Sequence, residues 1–259
     1  MRVMVIGDIV GRAGRETACA LVPRLRRERS VDFVVANAEN AAGVAGLTPE
    51  IARDLLDDAG IDVLTLGNHA WAKREIYPMV GSEPRLLRPA NFSPEAPGRG
   101  AGIFRCAAGQ VAVLNVQGRI FMDPVADPFA ACDSLVASLG QETSVIIVDI
   151  HAEATSEKQA LAWHLDGRVS AVVGTHTHVQ TADERVTAKG TACITDLGMT
   201  GAVRSILGVT PEPVLRRFIT GMPERFEAAA GPSALCGVLL DVEAVGGRAQ
   251  SIERLQIRA

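Results

Sequence analysis

The sequence predicts an α/β protein in which mixed β-sheets carry helices on their outer faces. Three observations support this. Five short, β-branched, apolar runs punctuate the chain, at Arg2 to Gly7, Asp32 to Ala36, Asp62 to Gly67, Ser144 to Asp149 and Ser170 to Gly174. Each reads as a strand buried on both faces, as parallel strands covered by helices are. Amphipathic helical stretches alternate with these runs, and two hairpin-like pairs break the alternation in the middle and at the end.

In order, the first strand leads to helical spacing of Ala18, Leu21, Val22 and Leu25 within Gly11 to Arg29. After the second strand, Thr48 stands as an N-cap and Pro49 at the first helical position. The stripe of that helix is Ile51, Leu55, Leu56 and Ala59, and Gly60 closes it. The third strand is followed by Ala70 to Val80, read as a short helix. Pro89, Pro94 and Pro97 mark a long loop. Gly102 to Cys106 and Val111 to Val116 then form an antiparallel hairpin. Helices at Pro128 to Leu139 and Ser156 to Leu165 precede the Ser144 and Ser170 strands respectively. The chain ends in a second hairpin, Gly237 to Glu243 with Ala249 to Ile257, turning at Gly246 and Gly247. No repeat, low-complexity tract or linker divides it, so residues 1–259 read as a single domain. Segment 200–233, rich in Gly and Pro, reads as a lid or an oligomer contact.

Composition narrows the functional classes. A hydrophobic fraction of 47% with 25 glycines suits a globular enzyme and argues against disorder. The net charge is −4 and the basic residues are scattered except for a short cluster from Arg24 to Arg29, which falls on a helical stretch and reads as a solvated face. An extended nucleic-acid groove is therefore not expected. The five cysteines form no Cys-x-x-Cys pair, as expected of free thiols in a reducing compartment. The N-terminus reads as a strand rather than a signal peptide, and no run approaches a membrane span. These features predict a cytoplasmic protein with no membrane partner.

The chemistry gathers where the apolar runs end. His69 lies in Gly-Asn-His, His151 in Asp-Ile-His, and His176 and His178 in Gly-Thr-His-Thr-His, while Asp8 and Glu39-Asn40 follow the first two runs. In open α/β sheets the carboxyl ends of strands gather along one edge, where ligands bind. Carboxylate, amide and imidazole groups together suit a divalent-metal centre, with more donors than one ion uses. Singly, the signals are weaker: Asp8 reads equally as a helix N-cap, and Glu39-Asn40 or Asn68-His69 as a turn. His151 with His176 and His178 is more specific, because His-x-His on an extended chain sets both imidazoles on one side. His164, mid-helix beside Trp163, reads as packing or surface.

In this order the motifs resemble the calcineurin-like metallophosphoesterases. Three departures, Asp8-Ile9-Val10, Glu39-Asn40 and Gly67-Asn68-His69-Ala70, are similar to one branch of that superfamily, the bacterial 2′,3′-cyclic-nucleotide 2′-phosphodiesterase-like (YmdB-like) proteins. That branch shows Gly-Asp-x-x-Gly, Asn-x-Glu-Asn, Gly-Asn-His-x-Trp, His-Ala-Glu-Ala-Thr-Ser-Glu-Lys, Gly-Thr-His-Thr-His-Val-Gln-Thr-x-Asp and Thr-Asp-x-Gly-Met-Thr-Gly. The corresponding stretches here are Gly7 to Gly11, Asn37 to Asn40, Gly67 to Trp71, His151 to Lys158, Gly174 to Asp183 and Thr195 to Gly201.

The resemblance implies a four-layer αββα sandwich of two mixed sheets flanked by helices. It implies two metal ions, iron or manganese ahead of zinc. One would be held by Asp8, Glu39, Asn40 and His178, the other by Glu39, Asn68, His151 and His176, with Glu39 bridging. A metal-bridging hydroxide would attack a small phosphodiester, 2′,3′-cyclic nucleotides being the leading candidates, and His69 would protonate the leaving group or steady the transition state. Glu153, Thr155, Lys158, Asp196 and Thr200 are candidates to support the ligands or touch substrate; helix capping and helix salt bridges explain the first three equally well. The alternatives are a phosphomonoesterase or nucleotidase with the same site, or a metal-dependent nucleotide sensor. A homo-oligomer is expected.

Overall fold

Side chains on successive strand residues point to opposite faces, so a strand apolar throughout must be covered on both sides. The computed structural model, which describes residues 1–259, shows two sheets stacked on one another with a helical layer outside each. In the first sheet, β1 (Arg2–Ile6), β3 (Phe33–Asn37), β4 (Val63–Thr65) and β5 (Leu86–Leu87) run parallel, in that order. β13 (Ser233–Val242) pairs antiparallel with the other side of β1, with its hairpin partner β14 (Ala249–Arg258) and with β12 (Met199–Ala202), which reaches the short β2 (Asp8–Ile9).

In the second sheet, β7 (Gly109–Gln117), β8 (Ile146–His151), β9 (Ala171–Thr175) and β11 (Ala192–Ile194) run parallel. It is edged by antiparallel β6 (Ala101–Cys106) and β10 (Arg185–Val186).

Three apolar layers follow from the alternation. Val3, Val5, Phe33, Val35 and Val63 face Val111, Val113, Ile147, Ala171 and Val173 across the space between the sheets. The intervening residues Met4, Ile6, Val34, Ala36 and Leu64 point outward instead, onto Ala18, Leu21, Val22 and Leu25 of α1 (Gly11–Glu28) and Ala52 of α2 (Pro49–Arg53). On the far side Leu114, Ile146, Val148 and Val172 pack on Cys132 and Val136 of α4 (Pro128–Leu139) and Leu161 and Ala162 of α5 (Thr155–His164). This is the four-layer αββα sandwich that the resemblance implies. Thr48 caps α2 as expected, its hydroxyl accepting from Ile51 N–H at 3.4 Å.

The structure departs from the sequence reading in several places. Ala70 to Val80 is not one helix; turns lead through a 3₁₀ turn at Arg74–Ile76 into α3 (Tyr77–Ser82), the only α-helical turns there. The backbone of residues 69–73 is instead shaped by its contacts with Glu39 and with the aromatic cluster around Trp71. Segment 200–233 contains the end of β12 and α6 (Pro211–Thr220), a helix whose capping Gly221 is left-handed at φ 70°. Short strands β2, β5, β10, β11 and β12 are also absent from the sequence reading, because two- to four-residue pairings carry no periodicity to detect. No helix is long and apolar enough to cross a membrane.

Candidate metal centre

The carboxyl ends of β1, β3 and β4 in one sheet and β8 and β9 in the other meet at one end of the sandwich. The expected shared edge is therefore the paired edges of two sheets. Asp8, in β2, is fully buried. Its Oδ2 accepts from the His176 backbone N–H at 3.0 Å, and Oδ1 lies 3.7 Å from His178 Nε2. Glu39 is equally buried, with Oε1 3.0 Å from His151 Nε2 and 3.3 Å from Asn40 Nδ2.

Around His151 the donors converge. Its Nε2 lies 3.0 Å from Asn68 Oδ1 and 3.0 Å from His176 Nδ1, as well as from Glu39. The ligating atoms of Glu39, His151 and His176 all lie within 4.8 Å of one another. The other set is looser: Asn40 Nδ2 lies 3.3 Å from His178 Nε2. In this arrangement Asn40 turns its Oδ1 toward His69 Nδ1, at 2.9 Å. Rotating the carboxamide by half a turn exchanges oxygen and nitrogen without moving the chain, and gives His178's side an oxygen donor. All seven residues expected as ligands are thus gathered, with Glu39 reaching into both sets.

Local backbone makes this closeness achievable. A Cβ on Gly67 would sit 2.2 Å from the His151 ring, so only glycine lets the imidazole lie against that strand end. The His-x-His segment is not extended as the spacing suggested. His176 and His178 both take positive φ, 95° and 63°. Non-glycine residues there carry local strain, and such outliers gather at functional sites. The kink turns His176 to His151 and His178 to Asp8.

A second ring of residues fixes these groups. His151 Nδ1 lies 2.9 Å from Thr175 Oγ1, which donates to Asp149 Oδ1 at 2.8 Å; Thr65 Oγ1 donates to Asp149 Oδ2 at 2.6 Å. Sequence reasoning missed Asp149 and Thr175. The available signal is a carboxylate two residues before His151 in a buried strand, hence on the same face. Lys158 and Asp196 form a buried ion pair at 2.8 Å, and Asp196 also accepts from Thr177 N–H at 3.1 Å, bracing the kink. Glu153 Oε2 lies 3.2 Å from His176 Nε2. Thr155 is exposed at the start of α5. The Thr200 hydroxyl bonds to the Cys236 backbone, so its side chain supports β13 rather than the site.

The electrostatics is that of a cation site. Burial alone would raise the Glu39 carboxyl, yet the His151 and His69 contacts hold it at about 2. His151 is likewise opposed by burial, but Glu39, Asp8 and Asp149 hold it up at about 9. Burial, reinforced by the neighbouring His151, drives His176 down to about 3. Burial raises the Asp8 carboxyl despite His178 and His151 beside it. Asp8 Oδ1 is also buried without any hydrogen-bond partner. An orphaned buried carboxylate oxygen is costly, and a cation held between Asp8 and the imidazoles removes the cost. The residues present therefore fit metal ions, through oxygen and imidazole donors and no thiolate.

Known proteins match this chain over nearly its whole length. A family description, "YmdB-like protein", matches residues 4–255. The 2′,3′-cyclic-nucleotide 2′-phosphodiesterase of Bacillus subtilis (strain 168) is 47% identical over 257 residues, covering 99% of this chain and 97% of that one. A Thermus thermophilus protein, whose crystal structure is described only as that of a hypothetical protein, superposes with a TM-score of 0.93 at 43% identity, covering 100% of this chain and 99% of that one. A crystal structure described as a novel phosphatase of Mycoplasma pneumoniae gives the same TM-score of 0.93 at 32% identity, with 100% and 93% covered.

Proposed function

The chain belongs to the YmdB-like protein family, and from that premise we propose that it is a two-metal phosphodiesterase that opens 2′,3′-cyclic nucleotides to 3′-nucleotides. The observation that carries this reading is the unpartnered, fully buried Oδ1 of Asp8 among imidazoles, beside a carboxylate, Glu39, that reaches both donor sets. The B. subtilis relative's name supports the substrate class.

Asp8, Glu39, Asn40 and His178 would hold one ion, and Glu39, Asn68, His151 and His176 the other. When bound, such ions lower the pKa of a shared water to supply the nucleophile and neutralise charge on the phosphoryl oxygens. Iron or manganese fits the donor set ahead of zinc. The remaining work falls to the chain. Glu39, Asp8 and the Thr175–Asp149 pair fix the imidazoles before substrate arrives, so little reorganisation accompanies reaction. His69, whose side chain is 38% exposed beside Asn68, would give a proton to O2′ as its bond to phosphorus breaks. The water oxygen thus bonds to phosphorus as the O2′–P bond breaks, O2′ takes its proton from His69, and the proton that water gives up returns His69 to its starting state.

A second reading, phosphomonoester hydrolysis at the same site, is favoured by the description of the Mycoplasma pneumoniae relative as a phosphatase. Turnover of a 2′,3′-cyclic nucleotide against its linear monophosphate separates the two: faster release from the cyclic ester supports the diesterase, and release from the monoester alone overturns it. The five free thiols suit a reducing, cytoplasmic setting. For subunit association, α6 offers exposed Leu215, Phe218 and Ile219, and light scattering of Phe218→Asp against wild type tests that contact.

A further inference from the structure

A cavity of about 270 Å³ opens against the metal centre, lined by Asn68, Trp71, Phe92, Gln117, Asp123 and Val125 among others. Asn68 belongs to both: it bounds the cavity while its Oδ1 approaches His151. Whatever fills the cavity is therefore one side chain away from the reacting phosphate.

The lining is chemically specific. Trp71 and Phe92 stand with ring centroids 6.2 Å apart and planes at 42°. Tyr77 packs edge-on against Trp71 at 5.3 Å and donates its hydroxyl to the Trp71 carbonyl at 2.9 Å, which fixes the indole as a platform. Asn91 ties two walls together, donating to the Gln117 and Ala126 carbonyls at 2.7 and 2.9 Å and accepting from Gln117 N–H at 2.9 Å. Gln117 itself is only 1% exposed, and its Oε1 has no hydrogen-bond partner. Buried carboxamide oxygens are almost always paired, and Gln117 lines the cavity, so a turn of its carboxamide would offer this oxygen to a ligand N–H.

A flat aromatic ligand bearing N–H groups, joined to a phosphodiester, is a nucleobase. We infer that this cavity is the base subsite: the base stacks on Trp71 and Phe92 and gives a hydrogen bond to Gln117, while its cyclic phosphate lies at the metal centre. This rests on the phosphodiesterase reading above for the phosphate, but not for the base. A second cavity of about 400 Å³ lies beside His178, lined by Met199, Val203, Leu207 and Arg254 among others, and it contains no Phe, Tyr or Trp. It offers a base no stacking surface.

Two measurements test the inference. The chain has two tryptophans, and the other, Trp163, is 65% exposed on α5, so Trp163→Phe leaves Trp71 as the only indole reporter. Adenosine or guanosine, without phosphate, should quench that fluorescence saturably, and Phe92→Ala and Gln117→Leu should weaken binding roughly 5- to 100-fold, the range base stacking gives. Absence of saturable quenching overturns the subsite. In turnover, the kcat/KM ratio of 2′,3′-cyclic AMP to the base-free methyl riboside 2′,3′-cyclic phosphate should fall by the same factor in Trp71→Leu, Phe92→Ala and Gln117→Leu with metal content retained. An unchanged ratio in all three overturns it. If wild type binds nucleosides yet opens neither cyclic ester, the phosphodiesterase reading fails and the base subsite stands.

Discussion

The backbone N–H of His69 donates to Oε2 of Glu39 at 2.9 Å, while His69 Nδ1 lies 3.5 Å from Oε1 of the same carboxylate. The carboxylate that touches both donor sets thus also holds the loop that carries the proposed acid. Geometry of the ligands and of His69 is coupled through one side chain.

Glu39→Ala should therefore lose both metals, or nearly all occupancy, and with them all activity. Two cations kept close without a bridging carboxylate repel strongly. Elemental analysis of purified protein checks this, with two ions per chain expected in wild type. Full two-ion occupancy in the variant contradicts the bridging role.

His69→Ala should keep both metals and lower turnover by roughly 10²- to 10⁴-fold, the usual range for a positioned acid or base. The loss should appear in both kcat and kcat/KM, because the interaction belongs to the transition state. It should be smaller for a nitrophenyl ester, whose leaving group departs without a proton. Equal losses on both substrates with metal retained argue against proton donation.

Thr175→Val removes the hydroxyl linking His151 Nδ1 to Asp149, leaving both ends buried without that partner. Partners of this kind fix the orientation and tautomer of a metal-binding imidazole, and their loss typically costs about 10- to 100-fold in metal affinity. Thr175→Ser should retain most of it. Competition with a fluorescent chelator measures both, and wild-type affinity in Thr175→Val would remove any role for the relay.

Protein stripped with chelator should lose stability as pH rises from 6.5 to about 9, because His151 has its folded value raised from 6.5 to about 9 by Glu39, Asp8 and Asp149, against burial. A raised imidazole contributes stability that is complete below the unfolded value and lost on passing the folded one. Metal-loaded protein should not show the loss, since a cation takes the place of that proton. Melting temperatures of both forms at either end of that range test the difference; parallel curves would contradict it.

Thiol reagent should titrate at most two of the five cysteines in folded protein. Cys132, Cys193 and Cys236 are buried, and burial pushes the Cys132 thiol up to about 12, so its thiolate is scarce. Cys19 and Cys106 are partly exposed. Ellman titration before and after denaturation should give two or fewer, then five.

Much of the molecule is legible in the chain. Runs apolar on every residue and rich in β-branched side chains, such as Val3 to Ile6 and Ile146 to Val148, read as strands covered on both faces, and the structure covers them with a sheet on one side and helices on the other. Asp8, Glu39, Asn68, His151, His176 and His178 stand out because strand ends are the one place where a parallel sheet presents polar side chains together. Tertiary structure decides the rest. Nothing local tells that β1, β3 and β4 belong to one sheet and β8 and β9 to the other, since sheet membership depends on pairing between distant segments. The left-handed turns at His176 and His178 carry no signal in the chain because strain there is imposed by contacts with Asp8, Asp196 and His151, not by the residues themselves. The Thr175–Asp149 pair and the cavity between Trp71 and Gln117 are hidden for the same reason: each joins segments tens of residues apart, and their partners are set by packing that no local pattern encodes.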